Sequence, residues 1–187
     1  PVVLVNGIPQ GNYARDYSAL DATIGLIALG QKQFTQCPPF NIDPTHQYIA
    51  TLKTRNGDIV LELFPDKAPL AVNSFVFLAR SGWYDGITFY RVLPGFMAQT
   101  GDPSDTGMGG PGYMFKSETK SGLKFDKPGV AALANVGANT NGSQFFITYA
   151  PAQHLDGSYT IFGQVISGMD VLEKLTPRDP QQPGQPV

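Results

Sequence analysis

Residues 48–63 constrain the fold more than any other stretch of the chain. Tyr48-Ile49-Ala50-Thr51-Leu52-Lys53-Thr54 alternates in polarity, Asn56-Gly57 follows, and Ile59-Val60-Leu61-Glu62-Leu63 alternates back. Alternation with period two sends successive side chains to opposite faces of a strand. Asn-Gly supplies the left-handed backbone that a tight hairpin turn requires. Further short strands are expected at 87–92, 96–100, 129–135, 144–149 and 159–166. One helix is expected over Ala68–Arg80: Pro69 suits its first turn, Val72, Phe75, Val76 and Ala79 share a face, and Gly82 suits its stop. A short final helix is expected from Met169 to Leu175. Many short strands with few helices indicate an antiparallel sandwich or barrel. The 21 glycines and 16 prolines in 187 residues fit such a turn-rich fold.

The chain divides into an extension (1–47), a main domain (48–176) and a Pro/Gln-rich tail (177–187). In the extension, Val2-Val3-Leu4-Val5 reads as a strand ended by an Asn6-Gly7 turn. Tyr13, Tyr17, Leu20, Ile24, Ile27 and Ala28 recur at helical spacing, so residues 13–35 are expected to form an amphipathic helix. Cys37-Pro38-Pro39 should stop it, because proline lacks an N–H and restricts its predecessor. The tail is polar, with nothing expected to pack.

Hydrophobic residues at 42% and charged residues at 15% allow a real core. A net charge of −2 gives no basic surplus for nucleic acid or an anionic membrane. A single cysteine, Cys37, excludes an internal disulfide framework and a multi-cysteine zinc site. No apolar run reaches the roughly 18 residues that span a bilayer. No leader is visible, but the chain opens on Pro1 rather than Met, so that says little about compartment.

Three apparent motifs carry little. Gly107-Met108-Gly109-Gly110-Pro111-Gly112 matches G-x-G-x-x-G, but Pro111-Gly112 blocks the helix that a dinucleotide site needs, and a flexible surface loop is expected. Asn141-Gly142-Ser143 is a sequon within a dense turn signal, and the turn is the better reading. Asp102, Asp105 and Glu118 match no metal-loop spacing and read as a solvated loop. Nucleophilic catalysis has no support: there is no G-x-S-x-G, and the histidines are His46 and His154.

Two runs hold chemistry. Phe89-Tyr90-Arg91-Val92-Leu93-Pro94-Gly95-Phe96-Met97-Ala98-Gln99-Thr100-Gly101-Asp102 sets one cation, Arg91, near two bulky apolar groups, Phe96 and Met97, and one amide, Gln99. Alternation puts Met97 and Gln99 on one face. The run from Leu133 to Ile147 adds Asn135, Gln144 and Phe146. Each run alone also reads as core strand plus turn.

Together, FYRVLPGFMAQTGDP (89–103), NTNGSQFFI (139–147), LDGSYTIFGQV (155–165) and APLAVNSFVFLARSGWYDG (68–86) closely resemble the cyclophilins, a prolyl cis/trans isomerase family. The resemblance covers roughly 48–176. It implies a β-rich fold: a closed eight-stranded antiparallel barrel capped by two helices, with the proline site on its outer face, here preceded by the strand/helix extension. It also implies a non-covalent isomerase with no cofactor, acting on proline-containing peptides or unfolded proteins as a folding helper. Residue by residue, Arg91 matches the catalytic arginine, with Phe96 and Gln99 beside it in the catalytic set. Phe96, Met97, Phe146 and Leu155 match the proline pocket, and Gln99, Ala134, Asn135 and Gln144 match the groups that hold the peptide backbone.

Three departures stand out. His154 occupies a rim position where many members have tryptophan, which bears on cyclosporin binding. Tyr159 replaces a pocket histidine and keeps a planar wall with a polar tip. The family's last strand has no counterpart after Leu175. Val2–Val5 is a candidate to fill that place, although the plainer reading is that the strand is missing from this sequence. Val5-Asn6-Gly7-Ile8-Pro9 before a helix is also similar to the start of extracytoplasmic parvulin-type chaperones, which favours an exported or membrane-anchored protein over a cytoplasmic one. The competing reading is a non-catalytic proline-peptide binding module or a structural subunit, with a protein partner or self-association through residues 1–36.

Overall fold

The computed structural model describes residues 3–5, 8–10 and 17–180, with side chains described from residue 20 onward. Strands β1 (Val3–Val5) and β2 (Ile8–Gln10) pair with each other as a separate antiparallel hairpin, Val5 opposite Ile8. Helix α1 spans Tyr17–Gly30. The expected start of that helix at 13, and Val2, lie outside the described residues. No described helix is long and apolar enough to cross a membrane.

The main sheet is built from β3 (Tyr48–Thr54), β4 (Gly57–Leu63), β5 (Arg91–Leu93), β6 (Met97–Thr100), β7 (Val130–Leu133), β8 (Phe145–Thr148) and β9 (Ile161–Ser167). Their order is β3-β4-β9-β7-β8-β6-β5, antiparallel throughout. Helix α2 (Pro69–Arg80) follows the hairpin and α3 (Met169–Glu173) follows β9. One core lies between the inner face of the curled sheet and α2. Phe75 of α2, Phe145 of β8 and Phe162 of β9 meet there with ring centroids 5.3–5.9 Å apart.

The expected closed eight-stranded barrel is corrected to a seven-stranded half-barrel. Beyond α3 the chain returns to the edge of β5, where, among the described residues, only Arg178 bonds, exchanging both backbone bonds with Val92 at 2.6 and 3.0 Å. Pro177 and Pro180 flank it and cannot donate to a ladder. Val3–Val5 does not fill the place, since its partner is β2. The tail is therefore not without packing at its start, where Asp179 is buried.

The extension packs differently from its expected stripe. Ile24 and Ala28 are exposed. Leu29 is the buried anchor, against Leu78 and Trp83. Phe34 meets Phe77 edge-on at 4.9 Å. Among the described residues the buried apolar contact of α1 is made by Leu29, which the expected stripe left out, while Leu20 and Ile27 of that stripe are half-buried.

Helix α2 begins without a side-chain cap at Ala68. Instead the Leu70 and Ala71 amides donate to the Glu118 carboxylate at 3.1 and 2.9 Å. A negative group at the positive end of a helix satisfies donors that have no intrahelical partner. We expect Glu118→Ala to lower unfolding free energy by about 1 kcal/mol in urea titration, the usual scale of a lost cap. Unchanged stability would show that solvent serves those amides equally well. Burial raises the Glu118 pKa, against the two amides that lower it. The sign follows from linkage: the stability this shift contributes is full below the unfolded carboxylate pKa and declines as pH rises through the folded one.

Candidate functional site

Strand register assembles the site. A cross-strand row runs Arg91, Gln99, Phe146, Ala132, Ile161 through β5, β6, β8, β7 and β9. Directly paired residues project to the same side of a sheet. Alternation adds Leu93 and Met97 to that side and sends Val92, Ala98, Phe145 and Ile147 into the core. The two sequence runs thus meet on the outer face.

An apolar cup forms there. Met97 and Phe146 are buried in it, and Phe96, Ala134, Leu155 and Tyr159 pack against it half-buried. Phe146 is parallel to Phe125 at 5.9 Å and meets Tyr159 edge-on at 5.4 Å. His154 is exposed and stacks on Phe96 at 5.7 Å. Both departures from the family pattern therefore keep a planar wall at the cup.

Amides line one side of the cup. The Gln99 Nε2 donates to Gln144 Oε1 at 3.0 Å and to the Tyr90 hydroxyl. Tyr90 in turn donates to Gln144 Oε1, and Gln144 Nε2 donates to the carbonyls of Gly107 and Gly109 at 3.0 and 2.7 Å. Burial, and then the nearby Asp102 carboxylate, push the Tyr90 phenol well above its ordinary pKa. It stays protonated and fixes the orientation of both amides. Asn135 donates to the Ser158 carbonyl at 3.2 Å.

Beyond the amides lies a cleft of about 760 Å³, which Gln99, Ala134, Asn135 and Gln144 share. Its far wall is the glycine-rich stretch 107–112, which the sequence suggested was a flexible loop. It is tethered. Asp102 is fully buried rather than solvated, and accepts from the amides of Ser104, Gly107 and Gly109 at 2.7–3.0 Å. Asn141 of the sequon is also fully buried, bridged to Phe115 rather than in a turn, and donates to the Lys116 carbonyl at 3.1 Å.

Arg91 stands at the end of the row nearest the C-terminal segment. Its side chain is 26% exposed, and its Nε lies 3.6 Å from Oδ1 of Asp179. That nitrogen is buried and makes no hydrogen bond among the described residues. Every site residue named from the sequence lies on this face or lines the adjoining cleft. Tyr90, Asp102 and Asp179 were missed. Asp102, five residues before a glycine run, was the one with a local signal.

The fold and this geometry have counterparts. Residues 49–187 match the family described as cyclophilin type peptidyl-prolyl cis-trans isomerase/CLD. The chain is 51% identical over 126 residues to peptidyl-prolyl cis-trans isomerase CYP18-1 of Arabidopsis thaliana, covering 66% of this chain and 79% of that protein. It is 47% identical over 130 residues to peptidylprolyl isomerase domain and WD repeat-containing protein 1 of Mus musculus, covering 68% of this chain but only 20% of that one. The chain therefore spans about a fifth of the length of that relative. A crystal structure of a Cryptosporidium parvum cyclophilin type peptidyl-prolyl cis-trans isomerase is similar with TM-score 0.66 and 39% identity, over 69% of this chain and 85% of that one. The same Cryptosporidium protein in the presence of the dipeptide Ala-Pro matches with TM-score 0.65.

Proposed function

Because the chain belongs to the cyclophilin-type peptidyl-prolyl cis-trans isomerases, we propose that its outer face rotates X–Pro bonds, with Arg91 and the Phe96–Met97–Phe146 cup as its working parts. The observation that carries this is the cross-strand row that puts Arg91, Gln99 and Phe146 side by side. The relative crystallised in the presence of Ala-Pro supports a proline ligand for such a cup.

Rotation about an X–Pro bond must break amide resonance, against a barrier of about 18–20 kcal/mol. No bond has to form or break. The apolar cup takes the proline ring and strips water from the amide, which disfavours its polar, planar form. The Gln99 and Gln144 amides and Asn135 hold the flanking backbone. As the bond twists, the lone pair localises on the prolyl nitrogen, and the fixed guanidinium of Arg91 stabilises that change. A preorganised donor acts most strongly on charge that develops in the transition state. His154 over Phe96 and Tyr159 against Phe146 set the rim and wall, and so the choice of substrate.

Acceleration of cis/trans exchange in a short X–Pro peptide, against an uncatalysed exchange of tens to hundreds of seconds, tests this reading. A chain folded by circular dichroism that binds such a peptide without accelerating exchange would instead be a binding module. Residues 29–34 pack on the chain's own domain, so an assembly role for the extension falls to the residues before them.

A further inference from the structure

The wall of the cleft beside the cup is not made by the main domain alone. Gln33, in the extension, lines it, and its Nε2 donates to the Gly110 carbonyl at 2.8 Å. The next residue, Phe34, donates its amide to the Pro111 carbonyl at 2.8 Å, and the Cys37 thiol reaches the Met114 carbonyl at 3.5 Å. Residues 33–37 thus run along 110–114. Leu29 and Phe34 anchor the segment on Leu78 and Phe77 of α2 and on Trp83 just beyond it.

The loop is shaped to receive it. A Cβ on Gly109 would overlap the Asp102 carboxylate and lie 2.7 Å from Leu29 Cδ2. Gly112 has φ +89°, and a Cβ there would overlap the Phe34 carbonyl oxygen. Glycine at these two positions is what lets the extension lie so close. The far side of the same loop is held by Gln144, whose Oε1 accepts from Gln99. One loop therefore has the extension on one flank and the peptide-holding amides on the other.

None of the side chains that line the cleft is charged. Met108, Met114 and Val136 line it with largely exposed apolar surface. Such a space accepts an uncharged side chain, with the Gln33 amide as its polar end. We propose that Gln33 is a specificity-determining residue, through which the extension selects the side chain of a substrate residue flanking the proline. This rests on the isomerase reading of the adjoining cup.

The test uses the full chain with a charge introduced in either sense, Gln33→Glu and Gln33→Lys. Gln33 is exposed, so neither variant has to bury its charge to fold. Peptides carry Lys, Glu, Leu or Ala in turn at each position within three residues of one X–Pro bond. Their binding is measured by fluorescence beside their turnover. At one flanking position, Gln33→Glu should raise the Lys-to-Glu preference about three- to tenfold and Gln33→Lys should lower it as much, on the scale of a partly exposed ion pair. The same charges at Thr51, exposed on β3, should shift it by much less. Equal ratios in wild type and both variants, or a Thr51 effect as large as that of Gln33, would overturn the proposal. Because the ratio is read in binding as well as in rate, a chain without turnover defeats the isomerase reading and still decides this one.

Discussion

Arg91→Ala should lower kcat/KM for X–Pro peptides by roughly 10²–10³, the usual cost of losing one preorganised donor at developing charge. The protein should stay folded, because Arg91 sits on an edge strand of three residues and is partly exposed. The measurement is peptide exchange by wild type and variant, with circular dichroism on both. Arg91→Lys should not restore the rate, since an ammonium lacks the planar fork and fixed reach of guanidinium. Asp179 offers an internal control. Its carboxylate lies 3.6 Å from Arg91 Nε and is mostly shielded from solvent. Asp179→Asn keeps the shape and removes the charge that holds the guanidinium. It should reduce kcat more than it raises KM, by less than Arg91→Ala does. Near-wild-type exchange by a folded Arg91→Ala protein would remove Arg91 from the mechanism and leave the cup to act by desolvation alone.

Phe146→Ala should cost about 3–5 kcal/mol of stability, the range for a large aromatic truncated in a core. Phe146 is 5% exposed and sits on β8, between β6 and β7. It loses a parallel contact with Phe125 and an edge contact with Tyr159, and leaves a hole that strands bonded on both sides cannot close. Against a typical total stability of about 5–15 kcal/mol, that loss is large. Denaturant unfolding checks it, and rates must be compared only under conditions where the variant is folded. Phe146→Leu restores most of the volume and should recover more than half of the loss. A cost below 1 kcal/mol for Phe146→Ala would mean that the cup is looser than its contacts indicate.

The pairing of β3 with β4, the extent of α2 and the positions of β6 to β9 were legible in local pattern, whereas the strand expected at 87–92 is β5 at Arg91–Leu93. Each rests on alternation, turn chemistry or helical spacing, which neighbouring residues carry in full. Arg91, Phe96, Met97, Gln99, Gln144 and Phe146 were named from motif resemblance, and all of them lie at the outer face. Tyr90 and Asp179 were not legible. Tyr90 gains its role from two glutamines, 9 and 54 residues away in sequence. Asp179 sits in a stretch whose composition reads as linker, and it became a buried partner because β5 left a free edge for Arg178 to bond.

Two further features separate what local order dictates from what packing adds. Alternation on β5, β6 and β8 dictates that Arg91, Gln99 and Phe146 face away from the core, because period two admits no other choice once Val92, Ala98 and Phe145 are inside. Neither the edge left between β3 and β5 among the described residues nor the contact of Gln33 with Gly110 follows from any such periodicity. The first depends on where prolines interrupt a returning segment. The second depends on a close approach between chain segments 77 residues apart, which glycine permits but does not announce.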